Sequence, residues 1–207
     1  MPRRGRRTRV RVSSDDGRGA DQIALGALLR KLHHAPLPPM APVAAQGLPP
    51  AHLLAQRMTE RLTALAQYGV TVPPGPPLEQ VIDVLAAQPS GRLLHLDVRA
   101  SNLRSADGHI LGVLDWSNAL VGDPAMELAR LAEYALVPDN GVDYDQVLTG
   151  YGEAIDLDSP AFWLYRLDTA VMLALLFTSN AAHTALAPPA VDRLLTVHDQ
   201  VRRALPN

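Results

Sequence analysis

Asp97, Asn102 and Asp115 are the side chains whose types and spacing best suit chemistry. Asp97 and Asn102 form D-x-x-x-x-N, with His95 two residues before the aspartate. Asp115 ends the apolar run Ile110 to Leu114, a strand candidate, and Ala106-Asp107-Gly108-His109 before it carries a hairpin turn signal. A hairpin there would set the loop after Leu96 beside the loop after Leu114. Two carboxylates and an amide converging at that point make a hard-oxygen site suited to magnesium, not zinc. Phosphoryl transfer needs this inventory. One carboxylate takes the proton of the attacking hydroxyl, while an amide and a second carboxylate hold the metal that neutralises phosphate charge.

The elements that must position these residues are mostly helical. Leu25, Leu28, Leu29 and Leu32 fall at i, i+3, i+4 and i+7, with Asp21 as the expected N-cap. Pro36, Pro38, Pro39, Pro42, Pro49 and Pro50 impose an extended loop. Leu54, Met58, Leu62 and Leu65 mark a second helix, and Leu78, Val81, Ile82 and Leu85 a third after the break at Val72–Pro77. Leu93-Leu94-His95-Leu96 is a short apolar run. Asp123-Pro124 is an N-cap followed by proline at the first helical position. Helical pattern then resumes over Ala125–Val137, Tyr144–Ile155, Pro160–His183 and Pro188–Ala204. The expected architecture is mainly α with one small β-hairpin insertion.

Composition bounds the rest. The 207 residues suffice for one sizeable core, or one domain with an appendage. A formal net charge of −2 gives no general affinity for nucleic acid or an anionic membrane. With no cysteine, disulfides and thiolate metal sites are excluded, and a cytoplasmic home is the expectation. The most apolar stretch, Thr169 to Phe177, is far short of the roughly 20 residues that span a bilayer. It reads as part of a buried core helix. Met1–Val12 carries six arginines and runs into a polar stretch. Residues 1–20 are expected to be a disordered arginine-rich tail ahead of a domain at 21–207; a nucleic-acid-binding arm is the weaker reading of that tail. Lys31 is the sole lysine, so chemistry that needs a lysine must use it or go without.

Leu94-His95-Leu96-Asp97, Ser101-Asn102, Gly112-Val113-Leu114-Asp115-Trp116 and Gly122-Asp123-Pro124-Ala125-Met126-Glu127-Leu128-Ala129 occur in that order. Together they resemble the signature of the aminoglycoside phosphotransferase and choline kinase superfamily, whose fold is protein-kinase-like. Leu25 to His33, with its L-x-x-L-H ending, is similar to the first helix of that family's C-terminal lobe. The resemblance runs from about Asp21 to Ala204. It implies Asp97 as catalytic base, Asn102 and Asp115 as magnesium ligands, and His95 and Asp123 as supporting residues. It implies ATP and Mg2+ as cofactors and a hydroxyl on an aminoglycoside-like or other small molecule as acceptor.

The family's N-terminal lobe, with its β-sheet and phosphate-gripping lysine, finds no counterpart in the residues before Asp21. Autonomous ATP binding is therefore doubtful on the sequence. The alternative is a non-catalytic, pseudokinase-like binding or interaction module. An uncovered apolar cleft face would suit a homodimer or a partner supplying the missing lobe.

Plainer roles compete for several residues. Asp97 and Asn102 could simply cap turns, and His95 could be structural rather than catalytic. His33 and His34 suit the negative end of a helix better than a ligand site. Trp116 reads as packing rather than base stacking. Asp139, Asp143, Asp145, Glu153, Asp156 and Asp158 read as a solvated face before a pocket for a cationic substrate.

Overall fold

A computed structural model describes residues 18–37, 48–106, 109–138 and 140–205. The arginine-rich Met1–Val12, the turn residues Asp107 and Gly108, Pro38, Pro39, Pro42 and Asp139 lie outside the described residues.

Seven helices carry the described chain: α1 (Arg18–His34), α2 (Pro50–Gln67), α3 (Leu78–Ala86), α4 (Pro124–Tyr134), α5 (Tyr144–Tyr151), α6 (Pro160–Ser179) and α7 (Ala187–Ala204). Four short strands lie between α3 and α4: β1 (Arg92–Leu94), β2 (Leu103–Ala106), β3 (His109–Val113) and β4 (Leu120–Gly122). β2 and β3 form the expected antiparallel hairpin, with a register shift between Arg104 and Ser105. β1 pairs instead with β4, Leu94 opposite Leu120. That second pair had no clear periodic signal, because three residues are too few to establish alternation.

Local chemistry corrects several expected boundaries. α1 begins at Arg18, so Asp21 lies inside it and is not its N-cap. α4 stops at Tyr134, not Val137. α5 stops at Tyr151 because Gly152 takes the left-handed conformation (φ 67°) that ends helices. α6 stops at Ser179, and Asn180 caps a separate 3₁₀ turn over Ala181–Leu186 by accepting from the Ala182 amide.

α6 forms the centre of the packing, enclosed by α2, α4 and α7. Its twenty residues are long and apolar enough to cross a membrane by length and composition alone. Its faces are buried in this core instead: Phe162, Leu164, Leu167, Ala170, Val171 and Ala174 are each at most 1% exposed. Among the described residues no other helix passes that test.

α1 and α5 cross at backbone contact. A Cβ on Gly26 would sit 2.0 Å from the Val147 carbonyl oxygen, and one on Gly150 would sit 1.9 Å from that of Ile23. Glycine is required at both positions by this approach. The crossing brings His33, at the end of α1, against Tyr151, at the end of α5.

Candidate active site

The segment between β1 and β2 is held by hydrogen bonds that reach two other elements. Leu96 adopts φ 60°, a left-handed backbone that costs a branched residue on the order of 1–3 kcal/mol. Glu127, in the first turn of α4, compensates. Its carboxylate accepts from the Leu96 amide at 2.7 Å and from the His95 amide at 3.1 Å. His33 donates to the same carboxylate through Nε2 at 2.9 Å, and its Nδ1 lies 3.0 Å from the Tyr151 hydroxyl. Burial works against a charge on Glu127, yet the His33 hydrogen bond and charge, with the two amides, hold its carboxyl below the usual glutamate range. Burial pushes the Tyr151 hydroxyl up to about 12, so it keeps its proton at neutral pH.

His95, fully buried, ties this loop to the next. Its Nδ1 accepts from the Asp97 amide at 3.2 Å, and its Nε2 donates to the Leu114 carbonyl at 3.0 Å. The ring meets Trp116 edge-on, 4.6 Å between centroids. The Leu114 amide in turn donates to the Asn102 carbonyl at 2.7 Å. The loop after Leu96 and the loop after Leu114 are thus side by side, as the hairpin requires. His95 acts as the clamp between them, and Trp116 packs on that clamp.

Within this frame Asp97 is buried and faces three groups. Asn102 Nδ2 donates to Oδ2 at 2.9 Å, and the Arg99 guanidinium lies 3.3 Å from the same oxygen. The Tyr134 hydroxyl donates to Oδ1 at 3.2 Å. Tyr134 itself accepts from Arg130 Nε at 3.1 Å, and burial raises its hydroxyl above the ordinary tyrosine value. A carboxylate offers about four lone-pair directions over two oxygens. Oδ2 meets two donors and Oδ1 one, so the open direction is on Oδ1.

Asn102 is oriented by its donors. Both Nδ2 hydrogens go to Asp97, one to the main-chain carbonyl at 2.8 Å and one to the carboxylate. The amide oxygen is then the atom left for a ligand. Asp115 is exposed, has a left-handed backbone (φ 62°), and accepts from the Ser117 hydroxyl at 2.6 Å through Oδ1. That hydroxyl and the Ser117 amide hold its carboxyl below the usual range. Its Oδ2 remains for coordination. The donor set therefore fits a hard divalent cation, with an amide oxygen and a carboxylate oxygen on adjoining loops. Among the described residues no group of three His, Cys, Asp or Glu is placed to hold a metal.

Asp123 caps α4 by accepting from the Ala125 amide at 3.0 Å and also accepts from the Tyr165 hydroxyl at 3.1 Å. Burial raises its carboxyl despite both donors. His34 pairs with Glu153 at the surface. Asp143 caps α5, and Asp145, Asp156 and Asp158 are exposed.

Glu127 and Tyr134 were not singled out by sequence reasoning, and His33 was read only as a helix-end charge. Glu127 did carry a signal: an acidic residue between the apolar Met126 and Leu128 has to find buried donors. Replacing it with glutamine is expected to cost about 1–3 kcal/mol at pH 7, the range for weakening buried hydrogen bonds to a charged group. The sign of the pH dependence follows from the depressed folded value. The contribution is complete above the unfolded value near pH 4.3 and is lost as pH falls through the folded one. Urea unfolding from pH 7 down to 3 should show the wild-type advantage over Glu127→Gln shrinking in acid; a constant difference would count against this ionised anchor.

A helical lobe with a small β region, and a carboxylate–amide pair clamped beside a second carboxylate, define the C-terminal lobe of a protein-kinase-like fold. The phosphotransferase enzyme family model matches residues 1–163, and the chain belongs to that family. No curated protein sequence matches it. Solved structures support the fold. A thermostable mutant of aminoglycoside phosphotransferase APH(4)-Ia, in apo form, is 18% identical with a TM-score of 0.62; the match covers 92% of this chain and 67% of that one. A choline/ethanolamine kinase family protein from Mesorhizobium loti is 19% identical with a TM-score of 0.60, over 91% of this chain and 66% of that one. A further APH(4)-Ia mutant, in ternary complex with ADP and hygromycin B, is 18% identical with a TM-score of 0.62, over 89% and 65%. The chain spans about two thirds of the length of these solved chains.

Proposed function

We propose that this chain carries the catalytic and metal-binding side of a magnesium-dependent transfer of the ATP γ-phosphate to a hydroxyl of a small molecule. The observation that carries it is the Asp97–Asn102 pair, held rigid by His95 and Glu127 next to Asp115. Asp97 takes the acceptor's proton at Oδ1 as the hydroxyl oxygen bonds to the γ-phosphorus; the bond to the β–γ bridging oxygen breaks and ADP leaves. Tyr134 and Asn102 fix the carboxylate so that its open side faces the acceptor. Asn102 Oδ1 and Asp115 Oδ2 would hold magnesium, which supplies neutralisation of phosphate charge when bound. His95 and Asp123 position these loops, and the absence of cysteine is compatible with action in the cytoplasm.

One observation favours the non-catalytic reading. Lys31, the sole lysine of the sequence, is exposed in the last turn of α1, far in kind from a strand position that grips phosphate. Calorimetry with ATP and magnesium, followed by a phosphate-transfer assay over a panel of hydroxyl compounds, separates the two. Magnesium-dependent nucleotide binding with transfer is the result the catalytic reading requires. Neither binding nor turnover would leave the chain as a binding module.

A further inference from the structure

Two separate segments supply the side-chain donors that orient the Asp97 carboxylate. Asn102, which ends the 3₁₀ turn Ala100–Asn102, donates to Oδ2, and Tyr134, the last residue of α4, donates to Oδ1. Asn140 touches both segments. Its main-chain carbonyl accepts from the Ala100 amide at 3.0 Å, and its side-chain Nδ2 donates to the Tyr134 carbonyl at 3.0 Å. It therefore bridges the first residue of the turn that carries Asn102 to the end of the helix that carries Tyr134.

The next residue lets the bridge close. Gly141 has φ 68°, and a Cβ on it would sit 2.6 Å from the Ala100 Cβ. The left-handed backbone and the close approach both call for glycine. α1 holds the far side of the same segment. Gln22, 7% exposed, donates through Nε2 to the Gly141 carbonyl and accepts at Oε1 from the Asp143 amide, both at 3.1 Å. A buried amide thus has its donor and its acceptor spent on this segment alone. Ala100 and Gly141 are exposed, so their contact adds little to the apolar core.

We infer that Asn140 and Gly141 are positioning residues, a clip that keeps Asn102 and Tyr134 at a fixed separation and so holds the Asp97 carboxylate in one orientation, with Gln22 as its anchor on α1. The catalytic consequence rests on the phosphotransfer reading; the mechanical coupling does not. Pushing Ala100 away tilts its turn and draws Asn102 Nδ2 off Oδ2, leaving Tyr134 to orient the base. Misplacing a reacting group by about 1 Å costs on the order of 10²-fold in rate.

The test sets Gly141→Ala against Gly69→Ala. Gly69 has φ 78° and no neighbour within 4 Å of an added Cβ, so alanine there brings similar backbone strain without the collision. Both variants should melt below the wild type. Only Gly141→Ala should lower kcat, by at least about tenfold, with the KM for acceptor within about threefold. Adding Ala100→Gly removes the methyl that is struck. It should bring kcat back to within about threefold of Ala100→Gly alone while the melting temperature stays low. The second readout is hydrogen exchange at the Asn102 amide, which donates to the Arg99 carbonyl at 2.9 Å and closes the turn. Exchange should be at least about tenfold faster in Gly141→Ala than in Gly69→Ala. Equal kcat in the two glycine variants, no recovery with Ala100→Gly, or equal exchange at Asn102 overturns the clip. Where the wild-type chain transfers no phosphate, the exchange contrast alone decides the clip, and only the phosphotransfer reading falls.

Discussion

On the proposed phosphotransfer, Asp97→Asn is expected to lower kcat by about 10²–10⁴, the range for removing a positioned general base. Asparagine has the same shape but no lone pair basic enough to take the hydroxyl proton. The KM for acceptor should change little, because a proton transfer of this kind strengthens in the transition state and not in the bound ground state. Stability should also change little. Asn102 keeps its hydrogen bond to the residue 97 carbonyl, and the new amide oxygen can still accept from Tyr134 or from Asn102. A change of about 1 kcal/mol corresponds to roughly 2–4 °C in Tm for a chain of this length. The contrast decides between two roles for the pair. If Asp97 and Asn102 only close a turn, the variant loses stability and keeps its kcat. Stopped turnover with a nearly unchanged melting curve is the catalytic outcome.

α2 and α3 were legible because each bears an apolar stripe at helical spacing, α6 because it is a long apolar run, and Asp123-Pro124 marked the start of α4. What escaped was set by long-range partners. β1 and β4 are three residues each and pair across 25 residues of intervening chain, so no local pattern announces them. Leu96 sits in a left-handed conformation only because Glu127 and the His95 ring hold its neighbours. His33 looked like a favourable charge at a helix end. The close α1–α5 crossing at Gly26 and Gly150 instead buries it against Glu127 and Tyr151. The spacing of Asp97, Asn102 and Asp115 gave the inventory of the candidate site, but it could not reveal that Tyr134 shares a hydrogen bond with Asp97. That contact depends on where α4 runs past the loop, which is a property of the packed core. The conspicuous acids of the sequence lie after Val137, whereas the buried acid Glu133 is inside α4 and neutralised by arginines 33 and 60 residues away.

Asp168→Ala is expected to destabilise the chain by about 3–5 kcal/mol, the cost of leaving buried charge without its partner. Asp168 is on the buried face of α6, 2% exposed. Arg57 donates to both of its oxygens, through Nε at 2.7 Å and through Nη2, and Arg61 Nη1 donates to Oδ1 at 2.9 Å. Arg57 and Arg61 are one helical turn apart on α2, so the aspartate clamps α2 to α6 while cancelling the repulsion between them. Burial opposes the Asp168 charge, but Arg57, by charge and hydrogen bond, and then Arg61 outweigh it and hold the carboxyl below its usual range. This stabilisation is complete above the unfolded aspartate value near pH 3.9 and is withdrawn as pH falls through the depressed folded one. At roughly 2–4 °C per kcal/mol, the alanine variant should melt about 6–20 °C lower at pH 7. A triple replacement, Arg57→Met with Arg61→Met and Asp168→Leu, removes all three charges and should recover most of that loss, since well-packed apolar side chains often match a buried ion cluster. If alanine alone were tolerated at neutral pH, the α2–α6 brace would be carried by apolar contact and the two arginines would be solvated rather than held.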